Sequence, residues 1–134
     1  MALASETIGD RWTMLILREA FYGVRRYDDM LADLNAPRSM LTDRLNRLVN
    51  QGIMARQPYK EPGSRTRDAY ALTAAGKELA LTFLALTQWG EAHLTREPAP
   101  VKAVHRQTGK PLKVILSDGS GEPVDLAMAS LQKQ

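Results

Sequence analysis

The residues with the clearest chemical potential form a basic segment in the first half of the chain. Between positions 38 and 67 seven basic residues stand against two acidic ones, a net charge of +5 in 30 residues, whereas the other 104 residues carry a net −2. A concentrated positive charge of this kind favours contact with a polyanion. A merely solvated surface with uneven charge is the alternative interpretation.

Within this segment, polar side chains recur at helical spacing. They are Arg38, Ser39, Thr42, Asp43, Asn46 and Arg47. Arginine pairs with guanine, asparagine with adenine and short acids with cytosine, so the set predicts direct reading of DNA base edges. Asp43 has a second interpretation, in which it only orients Arg47 one helical turn further on.

Other basic residues suit phosphate better than bases. Lys60, Arg65 and Arg67 surround a turn-rich sequence around Pro62 and Gly63, and a mobile tip cannot fix a register on base edges. Arg26, at the start of a predicted helix, is a further phosphate candidate. We therefore expect these four residues to contact the DNA backbone.

The chain offers little for catalysis or metal binding. It contains no cysteine, which excludes disulfides, thiolate metal sites and thiol switches within these residues. Its two histidines, His93 and His105, have no neighbours that would complete a metal site or a catalytic triad, and no phosphate-binding glycine loop or hydrolase motif is present. We expect no enzyme, no metal and no cofactor.

Hydrophobic periodicity defines the elements that must position these side chains. It predicts helices over about 8–21, 27–34 and 38–50, strands over 53–59 and 66–72, and a long helix from 74 to about 94 capped by Thr73. The order of three helices and a hairpin is that of a winged helix-turn-helix. In this mainly helical fold with a β-wing, the third helix enters the major groove and the wing lies on the flanking phosphates.

The first and the long helix are apolar on more faces than one core can cover, which predicts burial against a second copy of the chain. The predicted dimer seam consists of Trp12, Leu15, Ile16, Phe83, Leu84 and Trp89. The same seam is a candidate site for a small aromatic effector. The alternative is that the tryptophans only fill the interface.

Two prolines, Pro98 and Pro100, indicate a boundary between a domain of residues 1–97 and a C-terminal extension of residues 98–134. Short strands near 101–105, 112–116 and 123–126 predict that this extension is a metal-free β-hairpin. No stretch approaches the ~20 apolar residues of a membrane span, and no secretory signal is evident, so a cytoplasmic protein is expected.

Several segments together resemble the HxlR-type, MarR-like transcriptional regulators. They are GDRWTMLILR at 9–18, GVRRY at 23–27, LTDRL at 41–45 followed by Leu48 and Gly52, YALT at 70–73 and the late pair Trp89-Gly90. The resemblance covers roughly residues 2–95. It implies a bacterial homodimer on palindromic operator DNA, joined through the first and the long last helix.

The chain also departs from this family. Many members sense aldehydes, quinones or oxidants through a cysteine before the first helix, which is missing here, and Ala36 stands where a serine often caps the recognition helix. In some relatives Cys-Gly pairs give the C-terminal hairpin the look of a zinc ribbon, and here those ligands are absent. A dimeric protein-interaction adaptor remains the alternative function, although its contact face should be apolar and aromatic rather than rich in arginine, serine and asparagine.

Overall fold

A computed structural model describes residues 1–94 and 100–132 of the chain. These residues divide into two units, Met1–Ala80 and Leu81–Gln134. The domain boundary predicted between residues 97 and 98 lies outside the described residues and stays a prediction. None of the described helices has the length and apolar character needed to cross a membrane.

The N-terminal unit contains five helices and one hairpin. Its elements are α1 (Ala2–Ile8), α2 (Arg11–Phe21), α3 (Tyr27–Leu34), α4 (Arg38–Asn50), β1 (Met54–Tyr59), β2 (Arg67–Leu72) and α5 (Ala74–Glu78). The predicted winged helix-turn-helix order of helices and wing is thereby confirmed.

The prediction of one helix over 8–21 was wrong at its start. A separate helix, α1, ends at Ile8 with Gly9 as its C-cap, and α2 begins after Asp10. The reason is local, because the Asp10 carboxylate accepts a hydrogen bond from the Thr13 backbone N–H at 3.2 Å and so caps a new helix.

The core of this unit is built from apolar side chains of α2, α3, α4 and β1. Those with at most 1% exposure are Ile16, Leu17, Met30, Leu41, Leu45, Leu48 and Met54. The three leucines of α4 recur at i, i+4 and i+7 and turn one face of the helix into the core. The opposite face of α4 is therefore available at the surface.

The wing is a two-stranded antiparallel sheet in which Met54 lies opposite Leu72 and Tyr59 opposite Arg67. Its second strand is also tied to the loop before α3. Arg26 and Ala69 form an isolated antiparallel bridge, and the Tyr70 backbone N–H donates to the Arg25 carbonyl at 2.7 Å. The base of the wing is thus fixed to the start of α3.

The single long helix predicted from residue 74 is broken into α5 and α6 (Ala80–His93) at Leu79. The predicted cap at Thr73 is confirmed, since its hydroxyl accepts from the Gly76 N–H at 3.1 Å and donates to the Gly52 carbonyl at 2.6 Å. Gly76 lies against the residue that precedes β1: a Cβ there would stand 2.1 Å from the Ile53 carbonyl oxygen. This close approach explains why glycine occupies a helical position.

In the C-terminal unit, none of the three predicted strands forms as a strand among the described residues. Residues 103–105 and 110–112 pair only as a short antiparallel hairpin around the Val104–Pro111 bridge, and Leu126–Met128 forms a short 3-10 helix. The chain is tied to α6 by Gln88, whose amide donates to the Leu112 carbonyl at 3.2 Å and accepts from the Val114 N–H at 3.1 Å.

Side chains that bond to nearby backbone hold the turns between the predicted strands. The His105 Nδ1 accepts from the Gln107 and Thr108 N–H groups, both at 3.3 Å. The Ser117 hydroxyl likewise accepts from the Gly119 and Gly121 N–H groups at 3.3 and 3.2 Å. Among residues 1–94 and 100–132, no group of three or more potential metal-ligating side chains lies together.

Candidate nucleic-acid interface

The exposed face of α4 carries most of the side chains that the sequence predicts to read bases. Arg38, Ser39, Thr42, Asp43 and Arg47 are exposed, and Asn46 is half-buried. Because the leucine stripe holds the other face in the core, these side chains lie on a helix whose orientation is fixed by packing. A rigid helix is the element on which specific contacts are best placed.

Three of these α4 side chains are free of competing interactions within the described chain. Arg38, Ser39 and Arg47 make no side-chain hydrogen bond or ion pair with residues 1–94 or 100–132. The two arginines therefore offer their full donor sets to a ligand. A guanidinium with all five donors available can make a bidentate contact with guanine or phosphate.

The other three α4 candidates are engaged inside the protein. Asn46 accepts a hydrogen bond from Arg56 of β1 at 2.6 Å, and Thr42 bonds to Tyr27 at 3.0 Å. Asp43 pairs with its neighbour Arg44, so the structure does not support the interpretation that Asp43 orients Arg47. Each of these contacts would have to break, or be shared, for the side chain to reach a base.

Arg44 is a residue of this region that sequence reasoning assigned no role. Its Nε lies 3.0 Å from Asp10 Oδ1, which joins α4 to the N-terminal end of α2. Burial alone would raise the pKa of Asp10, but the hydrogen bonds from Thr13 and Arg44 outweigh it and lower that pKa below its ordinary value. The same pairing raises the pKa of Arg44. Arg44 thus acts inside the fold, and its charge is largely compensated.

On the wing, the predicted phosphate contacts fall into two groups. Lys60 and Arg65 are exposed and have no ion pair with a carboxylate of the described chain. Arg67 instead lies 2.8 Å from Asp28 at the start of α3. Arg26 lies 2.7 Å from Glu61 at the wing tip, and its guanidinium stands 4.8 Å above the Tyr59 ring.

The ion pairs Arg67–Asp28 and Arg26–Glu61 link the wing to the N-terminal end of α3. All four side chains are close to half exposed, between 46% and 50%. Exposed pairs of this kind contribute only ~0–1 kcal/mol to stability, so a phosphate can compete with either carboxylate. The paired arginines are therefore accessible to DNA, at the cost of losing their internal partners.

The two sides of this surface meet in a cleft of about 530 Å³ between α3, α4 and the wing. Its lining brings together three of the predicted DNA contacts, Arg38, Arg65 and Arg67, with the hydroxyls of Tyr27 and Thr42. The sequence separates these residues by up to 40 positions. The lining also includes the carboxylates of Asp28 and Asp68, and Asp28 pairs with Arg67, so the uncompensated positive charge of this concave surface comes from Arg38 and Arg65. A concave surface with unpaired guanidinium groups suits a nucleic-acid backbone.

The predicted dimer-seam residues are distributed over both units. In the N-terminal unit Trp12 and Leu15 are half-buried, but Ile16 is fully buried in the core, so we leave Ile16 out of the proposed seam. In the C-terminal unit Phe83 and Leu84 are half-buried, and Trp89 is 55% exposed.

The winged helix-turn-helix and its basic surface define the class of the protein as a DNA-binding transcription regulator. The family model described as HxlR-like helix-turn-helix matches residues 7–98. The chain therefore belongs to the HxlR-like helix-turn-helix family. This membership agrees with the resemblance stated from the sequence.

Individual relatives agree with this assignment. The chain is 44% identical over 108 residues to an HTH-type transcriptional regulator of Mycobacterium tuberculosis, covering 80% of this chain and 67% of the relative. It is similar to the crystal structure of PA1607, a candidate transcription factor, with a TM-score of 0.81, 30% identity and coverage of 97% and 91% of the two chains. It is also similar to reduced YodB from B. subtilis, with a TM-score of 0.61, 26% identity and coverage of 72% and 94%.

Proposed function

We propose that this chain is a homodimeric, sequence-specific regulator that inserts α4 into the major groove and lays its wing on the flanking phosphates. The proposal depends mainly on the exposure and the hydrogen bonding of the Arg38 and Arg47 side chains. Both side chains are exposed on α4 and unengaged within the described residues, while the leucines on the opposite face hold the helix in the core. This arrangement supports a helix presented for contact rather than a solvated surface.

The proposal divides the work between helix and wing. Arg47 is assigned to a base edge because it lies on the rigid helix, where a bidentate contact discriminates between bases. Lys60 and Arg65 are assigned to phosphates because they lie at the end of a two-stranded hairpin, which positions a charge but reads no sequence. Arg67 and Arg26 join them only when their carboxylate partners are displaced.

The test of this division starts by selecting DNA bound by the purified protein from a random pool. Arg47→Ala should then change the base preferred at one position of each half-site, a change of about 1–3 kcal/mol in discrimination. Arg65→Ala should weaken all sequences alike and lower the salt slope by about one unit per lost phosphate contact. Lys77→Ala removes the same charge outside the basic segment and is the matched control. Uniform losses in both arginine variants would contradict the assignment of α4 as the recognition helix.

Dimerisation is proposed through the surface of α6. None of the fourteen described residues of this largely apolar helix is buried, and Leu81, Leu86, Trp89 and Leu94 are between 46% and 72% exposed. Monomers rarely leave an apolar surface of this extent in water, which supports its burial against a second copy. A two-fold dimer would put its recognition helices about 34 Å apart, one turn of DNA, and would bind inverted half-sites.

Light scattering tests the dimer directly. The wild-type chain should have the mass of two copies at micromolar concentration, and Leu86→Glu should lower that mass to one copy. Thr82→Glu places the same charge on an exposed polar position of the same helix and serves as the control. A monomeric wild type would refute the dimer.

Regulation is proposed to act by reversible binding of a small aromatic compound, with Trp12 in the N-terminal unit and Phe83 and Trp89 in the C-terminal unit as separate candidates for stacking on it. The cysteine-free sequence supports binding rather than thiol chemistry. A ligand shifts such a regulator only by its difference in affinity for two dimer geometries. Quenching of tryptophan fluorescence that parallels release from operator DNA would support this, and quenching without release would refute it.

A further inference from the structure

The first turn of α4 lacks the usual side-chain cap. Its N-cap residue is Pro37, whose side chain makes no capping hydrogen bond, and no acidic residue lies in the first turn. Helices that begin this way depend on other contacts to hold their first turn in place. This turn carries Arg38 and Ser39, so its position decides where those side chains reach.

Tyr27 supplies a contact at this point. Its hydroxyl donates to the Arg38 carbonyl at 3.0 Å and lies 3.0 Å from the Thr42 hydroxyl. Since a phenol has a single proton and the carbonyl can only accept, Thr42 is the donor in the second bond. One oxygen atom therefore joins the first and the second turn of α4.

The group that makes these bonds is itself held firmly. Tyr27 is the first residue of α3, its ring is half-buried, and α3 is anchored in the core by the fully buried Met30. Tyr27, Arg38 and Thr42 all line the cleft beside the wing. The hydroxyl thus lies at the surface proposed for DNA but is fixed from within.

We infer that Tyr27 is a positioning residue for sequence recognition, and that Thr42 acts through Tyr27 instead of reading a base. This inference rests on the proposed function. A bidentate base contact tolerates only a fraction of an ångström of displacement, so a loosened first turn should weaken the specific complex. Phosphate contacts from the wing carry no register, so non-specific binding should be unaffected.

The test compares the affinities for selected and for random DNA. Tyr27→Phe removes only the hydroxyl and should lower the ratio of specific to non-specific affinity about 3- to 10-fold, as expected for lost hydrogen bonds. Tyr22→Phe is the matched control, because Tyr22 is exposed outside this cleft and its hydroxyl bonds to no described residue. The control should keep the wild-type ratio.

A double-mutant cycle separates positioning from base reading. Thr42→Val should lower the ratio as much as Tyr27→Phe, the double variant should be no worse than either, and the preferred bases should stay the same. An unchanged ratio in Tyr27→Phe overturns the inference, as does a Thr42→Val effect that adds to it and alters one base. If the wild type binds all sequences equally, the proposed function itself fails, and the positioning role fails with it.

Discussion

Replacing Asp28 by asparagine should make the protein bind DNA more tightly and less selectively. Asp28 holds Arg67 of the wing at 2.8 Å, and both side chains are close to half exposed. The substitution keeps the shape of the side chain but removes the charge that competes with phosphate. Arg67 is thereby released for the DNA backbone.

The magnitude follows from two contributions. The internal pair is worth ~0–1 kcal/mol, which the wild type loses when Arg67 turns to a phosphate and the variant does not. Removing one negative charge roughly 10 Å from a phosphate adds about 0.4 kcal/mol in pure water, which screening lowers to about 0.15 kcal/mol at 0.1 M salt. Together these predict non-specific affinity raised about 1.3- to 7-fold near 0.1 M salt, and a salt slope steeper by about 0.9 for one additional phosphate contact.

The assay is a titration of random-sequence DNA at several salt concentrations, with Asp29→Asn as the matched control. Asp29 is the next residue in the first turn of α3, it is exposed, and it forms no ion pair with the described residues. Both variants lose the same charge and the same favourable contact with the helix dipole. Only Asp28→Asn should steepen the salt slope. Equal salt slopes in the two variants, or weaker DNA binding by Asp28→Asn, would refute the reasoning. The Asp28–Arg67 ion pair would then serve to hold the wing in position.

Three further predictions concern stability and regulation. Gly76→Ala forces a Cβ to within 2.1 Å of the Ile53 carbonyl oxygen and should lower the free energy of unfolding, measured in urea, by about 2–3 kcal/mol. Gly90→Ala, with nothing within 4 Å of the new Cβ, should raise that free energy by about 0.5–1 kcal/mol. Equal effects of the two substitutions would contradict the close approach at Gly76. Because the folded-state pKa of Asp10 lies below its ordinary value of 3.8, its contribution is present at higher pH and is lost as the pH falls through the folded pKa. Asp10→Asn should therefore lose less stability than the wild type between pH 5 and pH 2 in thermal unfolding scans, and parallel curves would contradict this. Diamide at thiol-selective doses should leave DNA binding unchanged, because the chain has no cysteine.

The features that the sequence predicted well are those decided by neighbours in the chain. The leucine stripe of α4 follows from spacing alone, and Thr73 was recognisable as a cap because the group it accepts from, the Gly76 N–H, lies three residues away. Asp10 also lies three residues before the group that it caps, the Thr13 N–H, but the prediction placed it inside a longer helix. Periodicity therefore located the helices better than it located their ends.

Contacts between distant residues could not be predicted in the same way. Arg67 and Asp28 are 39 residues apart, and Tyr27 and Thr42 are 15 apart, so their pairing depends on how α3 packs against α4 and the wing. The C-terminal strands failed for a different reason. There the backbone pairs only around the Val104–Pro111 bridge, which is too short to form a strand, and no local hydrophobic pattern reveals how far such a pairing extends.

A count of charges along the sequence overstates the positive charge that the basic segment exposes in the folded protein. Three of the acids that neutralise it, Asp10, Asp28 and Asp68, lie outside residues 38–67 and reach it only through the fold. Positive charge without an internal partner is left at the exposed face of α4 and at the tip of the wing. A potential concentrated at these two places attracts DNA less strongly from a distance than +5 spread evenly would, but it favours one orientation of the helix and wing on the duplex. Under the proposed function this orientation is the more useful property, because it presents the exposed arginines of α4 to the major groove.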